Sequence, residues 1–248
     1  MTQNQTYENN SSNSSLRADI REAFTHAVPI MAGYMVLGLP CGMLSSTAGM
    51  SWWMVGLMSI TFYSGAGQYM IPNMYLAANP LLAIITSVSL VNSRQLLYGA
   101  SLSQYMGSQK IINILMAATV TDESFGVNLA RYMKGVWDTR KALFLNLFSM
   151  LSWGIFTALG AFLGEQFSVP ATLASFAMTS LFICLLMMQP FARENVLASV
   201  GAIVGVVICK LLGLEGVSIL LGALVGVVSG VLAMQMLPHT QSAIKESK

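Results

Sequence analysis

Charge is what this chain has least of. Only 9% of its 248 residues are Asp, Glu, Lys or Arg, against roughly 25% in an ordinary soluble domain. Twelve basic residues and ten acidic ones leave a net charge of +2, so there is neither the basic surface that nucleic acid requires nor an acidic tail. No nucleic-acid partner is expected. The three cysteines, Cys41, Cys184 and Cys209, all fall in apolar segments, and no pair has metal-ligand spacing such as CxxC. That excludes disulfide and zinc frameworks. The two histidines, His26 and His239, flank the first and last apolar segments, which leaves none at membrane depth to act as a general base. There is no GxxxxGK[ST] run to hold a nucleotide, and no cofactor is expected.

What remains is apolar: 55% of residues are hydrophobic and the mean hydropathy is +0.65. Stretches such as Leu81 to Leu90 and Val196 to Cys209 carry no charge at all, and so lack the solvated face of a soluble helix. Several approach the ~20 residues that cross a bilayer as helix. The chain reads as all-α, a polytopic transmembrane helical bundle. Breaks at polar, Gly and Pro residues divide it into eight candidate spans: 25–47, 52–77, 81–105, 111–132, 142–163, 171–188, 196–212 and 217–237. Residues 1–22, rich in Asn and Ser, form a polar tail too poor in apolar residues to order itself, residues 23–237 the membrane domain, and residues 238–248 a C-terminal tail.

Eight full crossings put Arg17, Arg21, Arg131, Lys134, Arg140, Lys141, Arg193, Lys245 and Lys248 on one side, and Lys110 and Lys210 on the other. Cytoplasmic loops carry the excess of Lys and Arg, so both termini are expected in the cytoplasm. The fourth span is kept as a crossing, a broken one, because Asp122 and Glu123 sit in its middle. No internal repeat is visible. Gly201 and Gly205, then Gly222, Gly226 and Gly230, recur at every fourth position, which makes smooth stripes for close helix packing, in this chain or against a partner.

Arg94 is the twelfth basic residue and lies within a span, next to its middle; Asp122 holds the same position in the following span. A lone charge at the centre of a membrane helix costs about 2.5–3.5 kcal/mol even on the lenient insertion scale. Pairing Arg94 with Asp122 or Glu123, or placing them in a wet cavity, offsets this. Such residues either fix helix packing or mark a substrate or proton pathway. Arg suits a carboxylate, whose two oxygens its planar fork binds together, and a buried carboxylate suits proton uptake and release.

Two segments are expected to unwind. The first span contains LGLPCGML, with Pro40 between Gly38 and Gly42, and the second contains YSGAGQYM, with Ser64, Gly65, Gly67 and Gln68 near its middle. Proline removes a backbone donor, and glycine lets the chain bend. A half-helix starting at such a break aims free N–H groups and partial positive charge at an anion. Asn92 and Gln68 are candidates to hydrogen-bond the same substrate. Ser64, Asp122 and Glu123 are also catalytic residue types, but there is no HExxH helix and no histidine beside a serine at membrane depth. An intramembrane hydrolase is disfavoured. A channel, or a partner subunit that does not itself transport, is the other alternative.

In that order and spacing, LGLPCGML, SGAGQ, NSRQLLYG and TDESF, running from Leu37 to Phe125, resemble the azaleucine-resistance (AzlC) family. The resemblance implies a large subunit of a branched-chain amino-acid exporter in the bacterial inner membrane, acting on valine and related amino acids with a small AzlD-type membrane subunit. It implies secondary transport and no enzyme activity. One position departs from the family pattern, in which Arg is followed by His: here Gln95 follows Arg94. Any proton coupling then falls to Asp122 or Glu123.

Overall fold

The computed structural model describes residues 16–167, 193–213 and 218–236, with isolated positions between 172 and 187. The expected span 171–188 and both chain ends lie outside that range. Every described element is helical: α1 (Leu16–Thr47), α2 (Trp52–Thr61), α3 (Gly65–Leu76), α4 (Leu81–Ser103), α5 (Lys110–Ala118), α6 (Asp122–Met133), α7 (Thr139–Gln166), α8 (Arg193–Leu211) and α9 (Ser218–Met236). The chain divides into two compact units, residues 1–77 with 88–181, and residues 78–87 with 182–248.

In the first unit α1 and α7 lie side by side along most of their length. Glycine makes that approach possible. A Cβ on Gly42 would lie 2.0 Å from the Thr157 carbonyl oxygen, and one on Gly160 would lie 2.2 Å from that of Leu39. Small residues let membrane helices meet backbone to backbone, where van der Waals contact replaces the hydrophobic effect as the source of association.

The expected break at Pro40 is absent. α1 runs unbroken through Pro29 and Pro40, and Gly38 and Gly42 serve its contact with α7. Within lipid each unwound residue exposes polar backbone that nothing satisfies, so losing the single bond that proline removes is the smaller cost. α3 helps: the Tyr69 hydroxyl donates to the Leu37 carbonyl at 2.6 Å, beside the Val36 carbonyl that Pro40 leaves without its helical donor. α1 also starts earlier than expected. Residues 16–22 of the presumed tail are helical, with Asp19 buried.

The other two breaks are real and have an unexpected consequence. Tyr105, just past α4, stacks on Tyr132 near the end of α6. Gly107, before α5, donates its N–H to the Thr139 hydroxyl at the start of α7. Between these points the chain climbs to Thr121, whose hydroxyl meets that of Tyr34 midway along α1. It then descends through Asn128, which bonds to Asn146, and reaches Arg131, paired with Glu22 near the start of α1. α5 and α6 therefore form a re-entrant hairpin that enters and leaves at one end, and residues 111–132 do not cross.

α2 and α3 do the same from the opposite end. The Trp52 N–H bonds to Glu165, at the far end of α7. The break at Phe62–Ser64 lies at mid-depth, against Tyr34 and Trp153. α3 then heads back, with Tyr69 on Leu37, a turn nearer the end from which α2 came. Its return supplies the start of α4, which passes the break with Asn92 and Gln95 on the way to Tyr105. Among the described residues, three helices are long and apolar enough to span a bilayer: α1, α4 and α7. Crossing helix then hairpin occurs twice with opposite sense, the topology of an inverted repeat, although no sequence repeat is visible.

Because the two re-entrant segments cancel, Arg17 and Arg21 still share an end with Arg131, Lys134, Arg140 and Lys141. Lys110, expected on the other side, joins them at the start of α5. Glu22 ties this charged end together, 2.6 Å from Arg131 and 2.7 Å from Lys141. Arg131 also lies over the Trp137 ring, 5.2 Å from its centroid.

In the second unit, α8 and α9 pack on each other through the glycine stripes. A Cβ on Gly205 would meet the Gly222 Cα at 3.1 Å, and one on Gly226 the Ala202 carbonyl's own side-chain neighbour, its Cβ, at 2.8 Å. Gly201, Gly205, Gly222 and Gly226 find their partners within the chain.

Candidate functional site

The tips of the two hairpins meet at mid-depth between α1 and α4, where the sequence-predicted charges converge. Arg94 on α4 reaches Asp122, the first residue of α6, with its terminal nitrogen 2.8 Å from Oδ2. The Tyr98 hydroxyl, one turn along α4, donates to the other carboxylate oxygen, and the Tyr98 ring stacks on Phe125 at 4.6 Å. Glu123 turns the other way, toward α1, where the Tyr34 hydroxyl donates to Oε2 at 2.9 Å.

Local sequence explains why the chain turns at these points. Ser64 caps α3: its hydroxyl accepts from the Gly67 N–H at 3.0 Å and donates to Asn92 Oδ1 at 2.6 Å. Gly67 sits so close to Phe62 that a Cβ would lie 2.8 Å from the ring, so the turn excludes a larger residue. Thr121 caps α6 in a reciprocal box with Ser124. Each cap satisfies part of the helix start, and the first N–H groups, of Gly65 and Ala66 in α3, keep no partner within their helix. The partial positive ends of α3 and α6 thus lie in one region.

Three donors at this junction are buried without acceptors: Asn92 Nδ2, Arg94 Nε and the Tyr63 hydroxyl. Buried polar groups are nearly always paired, and an unpaired one costs about 1–3 kcal/mol. A surplus of donors beside a helix N-terminus is the complement of an anion. The carboxylates of Asp122 and Glu123 lie beside it, so the site offers both signs of charge.

Not every predicted residue takes part. Gly38 and Gly42 lie on the α1–α7 contact, and Pro40 sits within unbroken α1. Gln68 is fully buried with each polar atom engaged, Oε1 accepting from Ser59 and Trp153 and Nε2 donating to the Phe62 carbonyl. It anchors the first hairpin, with one of its two Nε2 protons left over. Ser64, Gly65, Gly67, Asn92, Arg94, Asp122 and Glu123 come together as expected. The sequence reading missed Tyr34, Tyr63, Tyr98 and Thr121. A hydroxyl on an otherwise apolar span is the signal that marks them, but a tyrosine is equally at home at a membrane interface.

The AzlC protein family matches residues 29–167, which takes in both hairpins and α7. The chain belongs to the AzlC family. It is 31% identical over 197 residues to an uncharacterized membrane protein of Helicobacter pylori, covering 79% of this chain and 86% of that one. It is 30% identical over 179 residues to the branched-chain amino acid transport protein AzlC of Bacillus subtilis, covering 71% and 70%. It is 28% identical over 237 residues to the inner membrane protein YgaZ of Escherichia coli, covering 92% and 95%. No solved structure matches it. This AzlC-family chain is a membrane protein.

Proposed function

We propose that the chain is a secondary transporter that exports branched-chain L-amino acids such as valine across the bacterial inner membrane, as one subunit of a complex with a small AzlD-type membrane protein. The observation that carries this reading is the Arg94–Asp122 pair at the junction of two opposed hairpin tips, beside unpaired buried donors. A zwitterion fits such a pair. Its carboxylate takes Arg94, with Asn92 and the first N–H groups of α3, and its ammonium takes Asp122, with Glu123 available for the ammonium or a coupling proton.

Opposed re-entrant hairpins also suit alternating access, since each can uncover the site toward the end from which it enters. The printed name of the Bacillus relative supports the substrate class. The basic residues gathered at the end where α1 begins support a cytoplasmic location for that end. The hydrolase alternative loses ground, because the Ser64 hydroxyl is held between Gly67 and Asn92 with no base against it.

The test is efflux and counterflow of labelled valine from vesicles holding the protein with and without its small partner. Saturable counterflow distinguishes a carrier from a channel, and activity only with the partner makes the complex the working unit. Losing a charge-assisted bond of about 1.5–3 kcal/mol, Arg94→Ala should raise the half-saturating concentration ten-fold or more, as should Arg94→Lys in part. Unchanged efflux in Arg94→Ala removes Arg94 from the carboxylate site.

A further inference from the structure

Arg94 and Asp122 answer one another, but Glu123 makes no ion pair among the described residues. The junction of the hairpin tips therefore carries Arg94 against two carboxylates, a surplus of one negative charge at the depth where charge costs most. A zwitterionic amino acid cannot remove it, since it brings no net charge. A further cation must.

The groups facing Glu123 indicate which one. From α1 comes Tyr34, buried, with its hydroxyl on Glu123 Oε2 at 2.9 Å and on the Thr121 hydroxyl at 2.8 Å. A phenol has one proton, so the Tyr34 that donates to Glu123 accepts from Thr121. From the tip of the other hairpin comes Tyr63, also buried, its ring edge-on to that of Tyr34 and its hydroxyl without a partner. From α4 come Arg94 and Tyr98, both engaged by Asp122. From α7 comes only Trp153, packed on Tyr34. A metal ion would need several oxygen ligands, and among the described residues no group of three or more His, Cys, Asp or Glu is placed to hold one. A proton on Glu123 instead needs only that the hydroxyls reverse their donor sense, as hydroxyls can.

Resting on the transport reading above, we infer that Glu123 is the proton-binding site of this carrier, separate from the Arg94–Asp122 pair that takes the amino acid. The carboxylate gains a proton on one side of the membrane to become the neutral acid, and the acid releases it on the other. The Tyr34 hydroxyl, bonded to both Glu123 and Thr121, is the contact through which that proton reaches Glu123.

Infrared difference spectra of the purified full chain with its small partner, titrated without amino acid, test this directly. Of the protonated-carboxyl bands that appear on acidification, one should be missing in Glu123→Gln, present in Asp122→Asn and restored in Glu123→Asp, which also controls for folding. In vesicles, counterflow by Glu123→Gln should lose the pH dependence that the unaltered protein has. A set of bands that Glu123→Gln leaves unchanged, or a band lost in Glu123→Gln that follows sodium rather than pH, overturns the assignment. A band that behaves as expected in a protein with no counterflow of any branched-chain amino acid leaves the proton site standing and overturns the transport reading instead.

Discussion

Tyr105 stacks on Tyr132 with ring centroids 5.4 Å apart, so the end of a membrane-crossing helix touches the end of the segment that follows it. A segment that crossed the bilayer would hold these rings roughly 30 Å apart. Cysteines placed at Gly107 and Lys134 should therefore react with an impermeant reagent from the same side of sealed vesicles. Cysteines at Thr47 and Leu76 should react from the other side. Opposite labelling of Gly107 and Lys134 would restore a crossing over residues 111–132 and dismantle the hairpin.

The contact of α1 with α7 depends on hydrogen in place of methyl at two positions. Gly42→Ala and Gly160→Ala force a Cβ into backbone, and overpacking of this kind costs about 1–3 kcal/mol, read as a lowered melting temperature in lipid or detergent. Gly33→Ala is the control, because a Cβ there meets nothing within 4 Å and alanine is the better helix former by about 1 kcal/mol. Substrate affinity of the folded protein should stay as it was in all three. A fall in affinity without a fall in stability would return the LGLPCGML segment to the substrate site.

Much of this was legible in the residues, and the rest was hidden for physical reasons. Scarce charge revealed the solvent, and the cost of a midplane charge singled out Arg94 and Asp122, which the fold brings into contact. The breaks at Ser64 and Thr121 were legible from glycine and charge at mid-span. What the chain does after a break was not, because a hairpin and a kinked crossing bury the same apolar length, so hydropathy cannot separate them. Pro40 misled because the neighbouring carbonyl of Leu37 is bonded by Tyr69, which is remote in sequence. The basic residues gave the same side to Arg17, Arg21 and the Arg131–Lys141 block only because two errors of direction, at 52–77 and 111–132, cancel.

Gln68 holds the first hairpin to α7 through Trp153 and to α2 through Ser59. Gln68→Leu leaves the Trp153 N–H buried without an acceptor, a loss of about 1–3 kcal/mol, while Gln68→Glu keeps an acceptor for Trp153 but gives up the bond to the Phe62 carbonyl. Thermal unfolding should rank them unaltered protein, then Glu, then Leu. Should Gln68→Leu unfold like the unaltered protein yet bind valine more weakly, Gln68 belongs to the substrate after all.

The departure at Gln95 has a structural reading that can be tested. Its Nε2 donates to the Tyr63 carbonyl at 3.3 Å, in the break between α2 and α3. An imidazole N–H can make the same bond, so a histidine at this position is expected to serve the break as the glutamine does. Gln95→His should therefore transport at a rate close to the unaltered protein. Gln95→Leu leaves that carbonyl unpaired, costs about 1–3 kcal/mol and should slow counterflow by loosening the tip of the first hairpin. A new pH dependence in Gln95→His, centred near the ordinary histidine range of about 6.5, would put this position on the proton route beside Glu123. Full activity in Gln95→Leu would show that the break holds without it.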